Sequence, residues 1–122
     1  MNHPQPTAYT IGDKLVILGE HLNWNRHLPA EYVTDIPGGL EIHLARRDSS
    51  SLSSWALTLS AVEWSAAVVG VEESGGFWMV SVRGQIGPMP VHVWTALDLG
   101  DADTADTAIA ALRSETTVAS AS

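Results

Sequence analysis

Histidine and acidic side chains are the residues of this chain that could carry metal or acid–base chemistry. Glu41 and His43 stand two positions apart in the alternating segment LEIHLA. They therefore share one face of a predicted strand, roughly 7 Å apart given the rise per residue. With a loop histidine, His21 or His27, they would form a two-histidine, one-carboxylate metal site. The spacing matches no ligand signature, so we expect solvated histidines and no bound metal, with a small metal-dependent hydrolase as an alternative.

A second acidic group follows the last strand-like segment and consists of Asp98, Asp101, Asp103 and Asp106. It does not fit the calcium-binding loop, because Asp106 stands at the position, sixth from Asp101, that requires glycine. Carboxylates at the start of a helix accept hydrogen bonds from free N–H groups and oppose the helix dipole, so we expect Asp101 and Asp103 to cap a helix. The patch also suits a second alternative, an acidic inhibitor or DNA mimic of phage or mobile-element origin.

Motifs for nucleophilic catalysis and phosphate binding are absent from the sequence. The serines over 49–54 belong to no G-x-S-x-G or Ser-x-x-Lys motif, and neither G-x-G-x-x-G nor G-x-x-x-x-G-K occurs. The chain has no cysteine, which excludes disulfides and thiolate nucleophiles. We therefore predict a protein that is not an enzyme and needs no cofactor.

Composition and charge describe a small acidic globule. The chain has 122 residues, 45% of them hydrophobic, with fourteen acidic residues against six basic ones and a net charge of −8. Such a charge repels phosphate backbones and anionic membranes, so we expect neither nucleic acid nor membrane as a partner. The sequence contains no apolar run of the roughly twenty residues that a membrane span needs, and its first residues lack the pattern of a signal peptide. We expect a cytoplasmic protein.

The first predicted element is an amphipathic helix over residues 11–22. Ile11, Leu15, Leu18 and Leu22 follow one another at intervals of four, three and four residues, and Thr10 is the expected N-cap. These four apolar residues should form the buried stripe of the helix. A short strand over LVIL is the alternative.

A hairpin and a second helix follow. The segments EYVTDI and LEIHLA alternate around the turn at 37–39, which predicts two paired strands. In SSSLSSWALTLS, Leu52, Trp55, Ala56 and Leu59 lie at i, i+3, i+4 and i+7, as on one face of a helix. We expect Asp48 or a neighbouring serine to cap this helix.

Three tryptophan-containing segments then predict an antiparallel meander. They read EWSAAVVGV, GFWMVSVRG and MPVHVWTALDL, with short glycine-containing connections between them. Trp78, Val80 and Val82 form one apolar row, and we expect this row to face the helices. Trp55 and Trp78 are then core residues.

The opposite face of the meander is the predicted interaction surface. If the aliphatic rows face the helices, the other side carries an aromatic group with polar neighbours, and the loop NWNR adds one further exposed aromatic residue. The interface candidates are Trp94, His92, Phe77, Met79, Arg83 and Trp24.

Together these elements predict an α+β fold. The expected order is α-β-β-α-β-β-β, with one antiparallel sheet of about five strands, both helices on one face, and a short C-terminal helix. Residues 10–113 form the single domain, between a flexible lead-in over 1–9 and a flexible tail over 114–122.

The order DIPGGLEIHLA, SSLSSWALTL, GFWMVSVRG and VHVWTAL resembles small uncharacterised proteins of actinobacteria and their phages. The resemblance covers roughly residues 11–98 and consists of packing and turn residues. It implies a helix, a hairpin, a second helix and a three-stranded meander, in a mobile-element or accessory setting. It implies no activity.

The function that these observations favour is non-catalytic protein binding. An exposed tryptophan on a strand face, where polar residues are expected, points to a contact surface. The simplest partner for such a face is a second copy of the chain, so we expect a homodimer or another protein complex.

Overall fold

The protein is described here by a computed structural model, which covers residues 9–70 and 75–112. Its elements are α1 (Ile11–Trp24), β1 (Tyr32–Ile36), β2 (Gly39–His43), α2 (Ser49–Thr58), β3 (Ser60–Val69), β4 (Phe77–Ile86) and β5 (Met89–Leu97). A 3-10 turn follows at Leu99–Asp101, and helix α3 begins at residue 105 and is described to residue 112. The predicted element order is confirmed. The expected lead-in and tail lie, apart from Tyr9, outside the described residues.

The five strands form one mixed sheet in the order β1-β2-β5-β4-β3. Three of the four strand pairs are antiparallel, but β2 and β5 run parallel. The prediction of a purely antiparallel sheet is therefore wrong at this boundary. Helix α2 carries the chain from β2 to the far edge, and the meander then returns towards β2. Since β5 is the third strand of that meander, it arrives beside β2 in the same direction.

The parallel boundary between β2 and β5 is unusually close at Gly39. A Cβ atom at this position would lie 2.0 Å from the carbonyl oxygen of Pro90, well inside van der Waals contact. Only glycine lets the two backbones approach in this way. The PGG turn of the hairpin therefore also serves the pairing of β2 with β5.

The core lies between the sheet and its helices. Leu40, Ile42 and Val93 are fully buried on the helix-facing side, in one cluster with Leu18 of α1 and Trp55 of α2. Both helices therefore pack on the same face of the sheet, as predicted.

Two tryptophans connect this core to loop backbone. Trp55 is fully buried, and its indole Nε1 donates to the carbonyl of Pro29 at 2.8 Å. Trp78 is 7% exposed and donates to the carbonyl of Ala102 at 3.0 Å. The prediction that both belong to the core is confirmed.

Helix α1 buries only part of the predicted stripe. Leu18 is buried and Leu22 packs against the core, as predicted, but Ile11 and Leu15 are about half exposed and Lys14 is buried in their place. The Lys14 ammonium group bonds the Asp35 carboxylate and lies 2.8 Å from the carbonyl oxygen of Ile36. These bonds at the end of β1 hold the Lys14 side of the helix against the sheet, so Ile11 and Leu15 are turned outward.

The ends of the helices are capped by side chains. Thr10 and Asp13 form a reciprocal capping box at the start of α1, and Asp48 accepts from the backbone N–H of Ser51 in α2, which confirms both predicted caps. At the start of α3 the cap is Thr104, whose Oγ1 accepts from the N–H of Thr107. None of the helices in the described ranges is long and apolar enough to cross a membrane.

Candidate interaction site

The face of the sheet opposite α1 and α2, here called the open face, carries the predicted contact residues. Strand alternation places Trp78, Val80 and Val82 on the helix side, so their neighbours point the other way. The open face therefore holds Phe77, Met79 and Arg83 of β4 together with His92 and Trp94 of β5. The predicted placement of these five residues is confirmed.

An aromatic row crosses the open face from β1 to β4. The ring of His43 stacks on the indole of Trp94 with centroids 3.8 Å apart and planes 20° apart. Tyr32 lies beyond His43 at 5.7 Å, and Phe77 lies near Trp94 at 6.2 Å. The row forms because Tyr32, His43 and Trp94 are register partners on neighbouring strands. It presents a continuous aromatic surface across four of the five strands.

A polar row lies beside the aromatic one, towards the β1–β2 and β4–β5 turns. His92 has Glu41 as its register partner on β2 and Arg83 as its register partner on β4. Nδ1 of His92 lies 3.1 Å from Oε2 of Glu41. Burial is the main cause that lowers the pKa of His92 below 6.5, and the Arg83 charge adds to it, whereas Glu41 opposes the shift. His92 is therefore neutral at pH 7. An ionised carboxylate only accepts, so Nδ1 carries the hydrogen and Nε2 the lone pair.

Two nitrogens on this face have no hydrogen-bond partner among the described residues. They are Nε2 of His92 and Nε1 of Trp94, and both are closed off from solvent. A buried polar atom without a partner costs about 1–3 kcal/mol. Because neither nitrogen is reached by solvent, a group that binds on the open face would not contact them directly.

A hollow of about 190 Å³ lies at the turn end of the open face. It is lined by Ile36, Arg83, Pro90 and His92, with Gly84 and Val91. The hollow thus combines an apolar wall with the only cationic side chain of β4.

The remaining candidates lie elsewhere. Trp24, at the end of α1, is 87% exposed and is separate from the open face. Asp98 bonds both Arg46 and Arg47, and the hydrogen bond from Arg46 is the main cause that lowers the pKa of Asp98. Asp101 pairs with Arg47 at 3.2 Å.

The capping role predicted for Asp101 and Asp103 is wrong. Asp101 closes the 3-10 turn, and Thr104 caps α3 in their place. Asp103 and Asp106 are exposed. Within the acidic patch, Asp98 and Asp101 therefore form ion pairs with Arg46 and Arg47, and Asp103 and Asp106 form none among the described residues.

The residues proposed for a metal site are not brought together. Glu41 and His43 share the open face, but each contacts a different residue of β5. His21 lies on the other side of the sheet, where its Nε2 is 3.0 Å from Thr58 Oγ1 and burial lowers its pKa. In the described ranges no three histidine or acidic residues lie close enough to hold a metal ion.

The sequence did not predict the contact of Glu41 with His92 or that of His43 with Trp94. Each pair is separated by 51 positions, and no local pattern shows which strands become neighbours. Comparison of the chain with models of known protein families, with curated proteins and with solved structures finds no match. The structure therefore classifies the protein as an α+β domain with an aromatic row on the open face of its sheet.

Proposed function

We propose that this protein is a non-catalytic binding protein that self-associates as a homodimer through its open face. The observation that carries the proposal is the aromatic row through Tyr32, His43, Trp94 and Phe77. Large aromatic side chains on a sheet face that no described helix covers are typical anchors of a protein interface. In the described part of the chain, no helix packs on this row.

Charge indicates through which face two copies of the chain could meet. The chain carries a net charge of −8, so two copies repel each other over most of their surface. The centre of the open face is uncharged: the register partners along the aromatic row are Tyr32, His43, Trp94, Ser81 and Ser65. Two molecules can therefore approach through this face with the least repulsion. A two-fold axis through the row would place one copy of it against the other.

Trp94 is the expected centre of the interface. Its indole stacks on His43, lies near Phe77, and keeps an Nε1 donor without a partner in the described residues. That nitrogen is closed off from solvent, so Trp94 would contribute aromatic and apolar contact to the dimer and no hydrogen bond.

Light scattering coupled to size-exclusion chromatography tests the proposal. The wild type should elute as a dimer, and Trp94→Glu as a folded monomer, because the new carboxylates would face each other across the two-fold axis. Trp24→Glu is the matched control, since Trp24 is exposed but lies off the open face. A wild-type monomer at every concentration, or a Trp94→Glu protein that stays dimeric while circular dichroism shows it folded, would refute the proposal.

The alternatives have less support. For an acidic inhibitor or DNA mimic, two of the four residues of the acidic patch, Asp98 and Asp101, are paired with arginines, which leaves Asp103 and Asp106 as its unpaired members in the described ranges. For a metal-dependent hydrolase, Glu41 contacts His92 and no third ligand stands nearby among the described residues. Protein binding through the open face is therefore better supported than either alternative.

A further inference from the structure

The guanidinium group of Arg83 has no polar partner among the described residues of this acidic protein. The side chains of Arg26, Arg46 and Arg47 each bond a nearby side chain, whereas that of Arg83 forms no ion pair or hydrogen bond within the described ranges. Its register partner on β3 is Glu63, but the two charged groups do not form an ion pair. Fourteen acidic residues offer partners in this chain, so an arginine that pairs with none of those described is available for an external anion.

Arg83 borders the hollow at the turn end of the open face, and the rest of the lining is largely apolar. Ile36, Pro90 and Val91 supply aliphatic carbons, and the imidazole of His92 completes the wall. The volume of about 190 Å³ is below the roughly 300–1,000 Å³ of pockets for drug-sized ligands. A ligand that fits must be small, with a short apolar body and one anionic end.

We propose that this hollow binds a small monocarboxylate, with the carboxylate paired to Arg83 and the apolar body against Ile36 and Pro90. A guanidinium group presents two N–H donors in the geometry that a carboxylate accepts, which gives both charge and direction to the contact. The hollow lies beside the aromatic row, towards the turns. The proposal therefore does not rest on self-association, and either can fail alone.

His92 reports on the occupancy of this site. Its neighbours are Glu41 on β2, which favours the charged imidazole, and Arg83 on β4, which disfavours it. A carboxylate bound to Arg83 neutralises that positive charge and brings a negative one near the ring. The pKa of His92 should therefore rise when the ligand binds, a response that a contact elsewhere on the surface would not produce.

The test uses isovalerate as the ligand and isoamyl alcohol as its neutral counterpart. NMR titration of the full chain should show saturable binding of isovalerate at millimolar concentration, at least about tenfold tighter than the alcohol. The His92 ring should titrate at higher pH in the presence of isovalerate. Arg83→Gln should weaken binding by about tenfold or more, whereas the matched control Arg26→Gln should leave it unchanged.

Several results would overturn the proposal. One is the absence of saturable binding of isovalerate, acetate and benzoate up to about 50 mM, and another is equal binding of isovalerate and isoamyl alcohol. Inorganic phosphate that competes as well as isovalerate would show unselective anion binding. A short peptide with a free C-terminal carboxylate that bound at least about tenfold more tightly would identify a chain terminus, and not a free acid, as the ligand.

Discussion

Nδ1 of His92 lies 3.1 Å from Oε2 of Glu41, across the one parallel boundary of the sheet. On the other side of His92 its register partner is Arg83. The histidine is thus held between a carboxylate that favours its charged form and a guanidinium group that disfavours it. Because burial also disfavours the charge, the neutral ring prevails, with its Nδ1–H donated to Glu41.

Substitutions of the two charged neighbours should move the pKa of His92 in opposite directions. Glu41→Gln removes the stabilising anion and should lower the pKa further, and Arg83→Gln removes a repelling cation and should raise it. NMR titration of the imidazole rings measures both effects. His21 lies on the other face of the sheet and serves as the internal control, since its pKa should not change. A rise in the pKa of His92 in Glu41→Gln would contradict this account.

The free energy of unfolding should decrease as the pH falls below about 6.5, the pKa of histidine in an unfolded chain. The pKa values of His21 and His92 are both lowered in the folded protein. The unfolded chain therefore binds more protons in this range, and stability is lost as the pH drops from 6.5 through the folded pKa values. Urea denaturation at several pH values measures the effect.

The double variant His21→Gln/His92→Gln provides the control for this pH dependence. It should show a flatter profile between about pH 8 and about pH 5, because both groups with lowered pKa values are removed. A wild type that became more stable on acidification through this range would refute the assignment.

Gly39→Ala should destabilise the protein strongly. The added methyl group would meet the Pro90 carbonyl at 2.0 Å, which forces β2 and β5 apart at their closest point. We expect a loss of about 3 kcal/mol or more, at the upper end for an overpacked site. Gly19→Ala is the matched control, because nothing lies within 4 Å of the new Cβ in α1, and it should stabilise by up to about 1 kcal/mol. Equal effects in urea denaturation would contradict the close approach of the strands.

Removing Lys14 and removing Asp35 from their ion pair should lower the free energy of unfolding by different amounts. Lys14 is 5% exposed, whereas the Asp35 side chain is 56% exposed. Lys14→Met removes the buried charge and leaves a solvated carboxylate, so it should cost less than about 1 kcal/mol. Asp35→Asn leaves an ammonium group buried without an anion and should cost about 1–3 kcal/mol. The reverse order in urea denaturation would show that the lysine is not held as described.

Local patterns were sufficient to predict the elements and the faces of the strands. A strand alternates with period two, so the apolar residues Val91 and Val93 assign their neighbours His92 and Trp94 to the opposite side of β5. The same reasoning placed Trp55 in the core. These features depend on residues within a few positions of one another, and that information is present in the sequence.

The features that sequence reasoning missed depend on distant pairing. The parallel contact between β2 and β5 follows from the path of the chain around α2, which no strand pattern shows. The buried side of α1 depends on Asp35, a residue 21 positions from Lys14, and so the prediction is wrong for Ile11 and Leu15, the first half of the stripe. The same cause hid the neutralisation of Asp98 by Arg46, 52 positions away.

The most direct test of self-association is a filtered NMR experiment on a mixture of isotope-labelled and unlabelled protein. It detects only contacts between protons of different molecules. A dimer formed through the open face should give intermolecular contacts from the Trp94 indole to Tyr32, Phe77 or Met79 of the partner molecule. Contacts found only from Ile11 and Leu15 of α1, or none at all at millimolar concentration, would contradict a dimer formed through the open face.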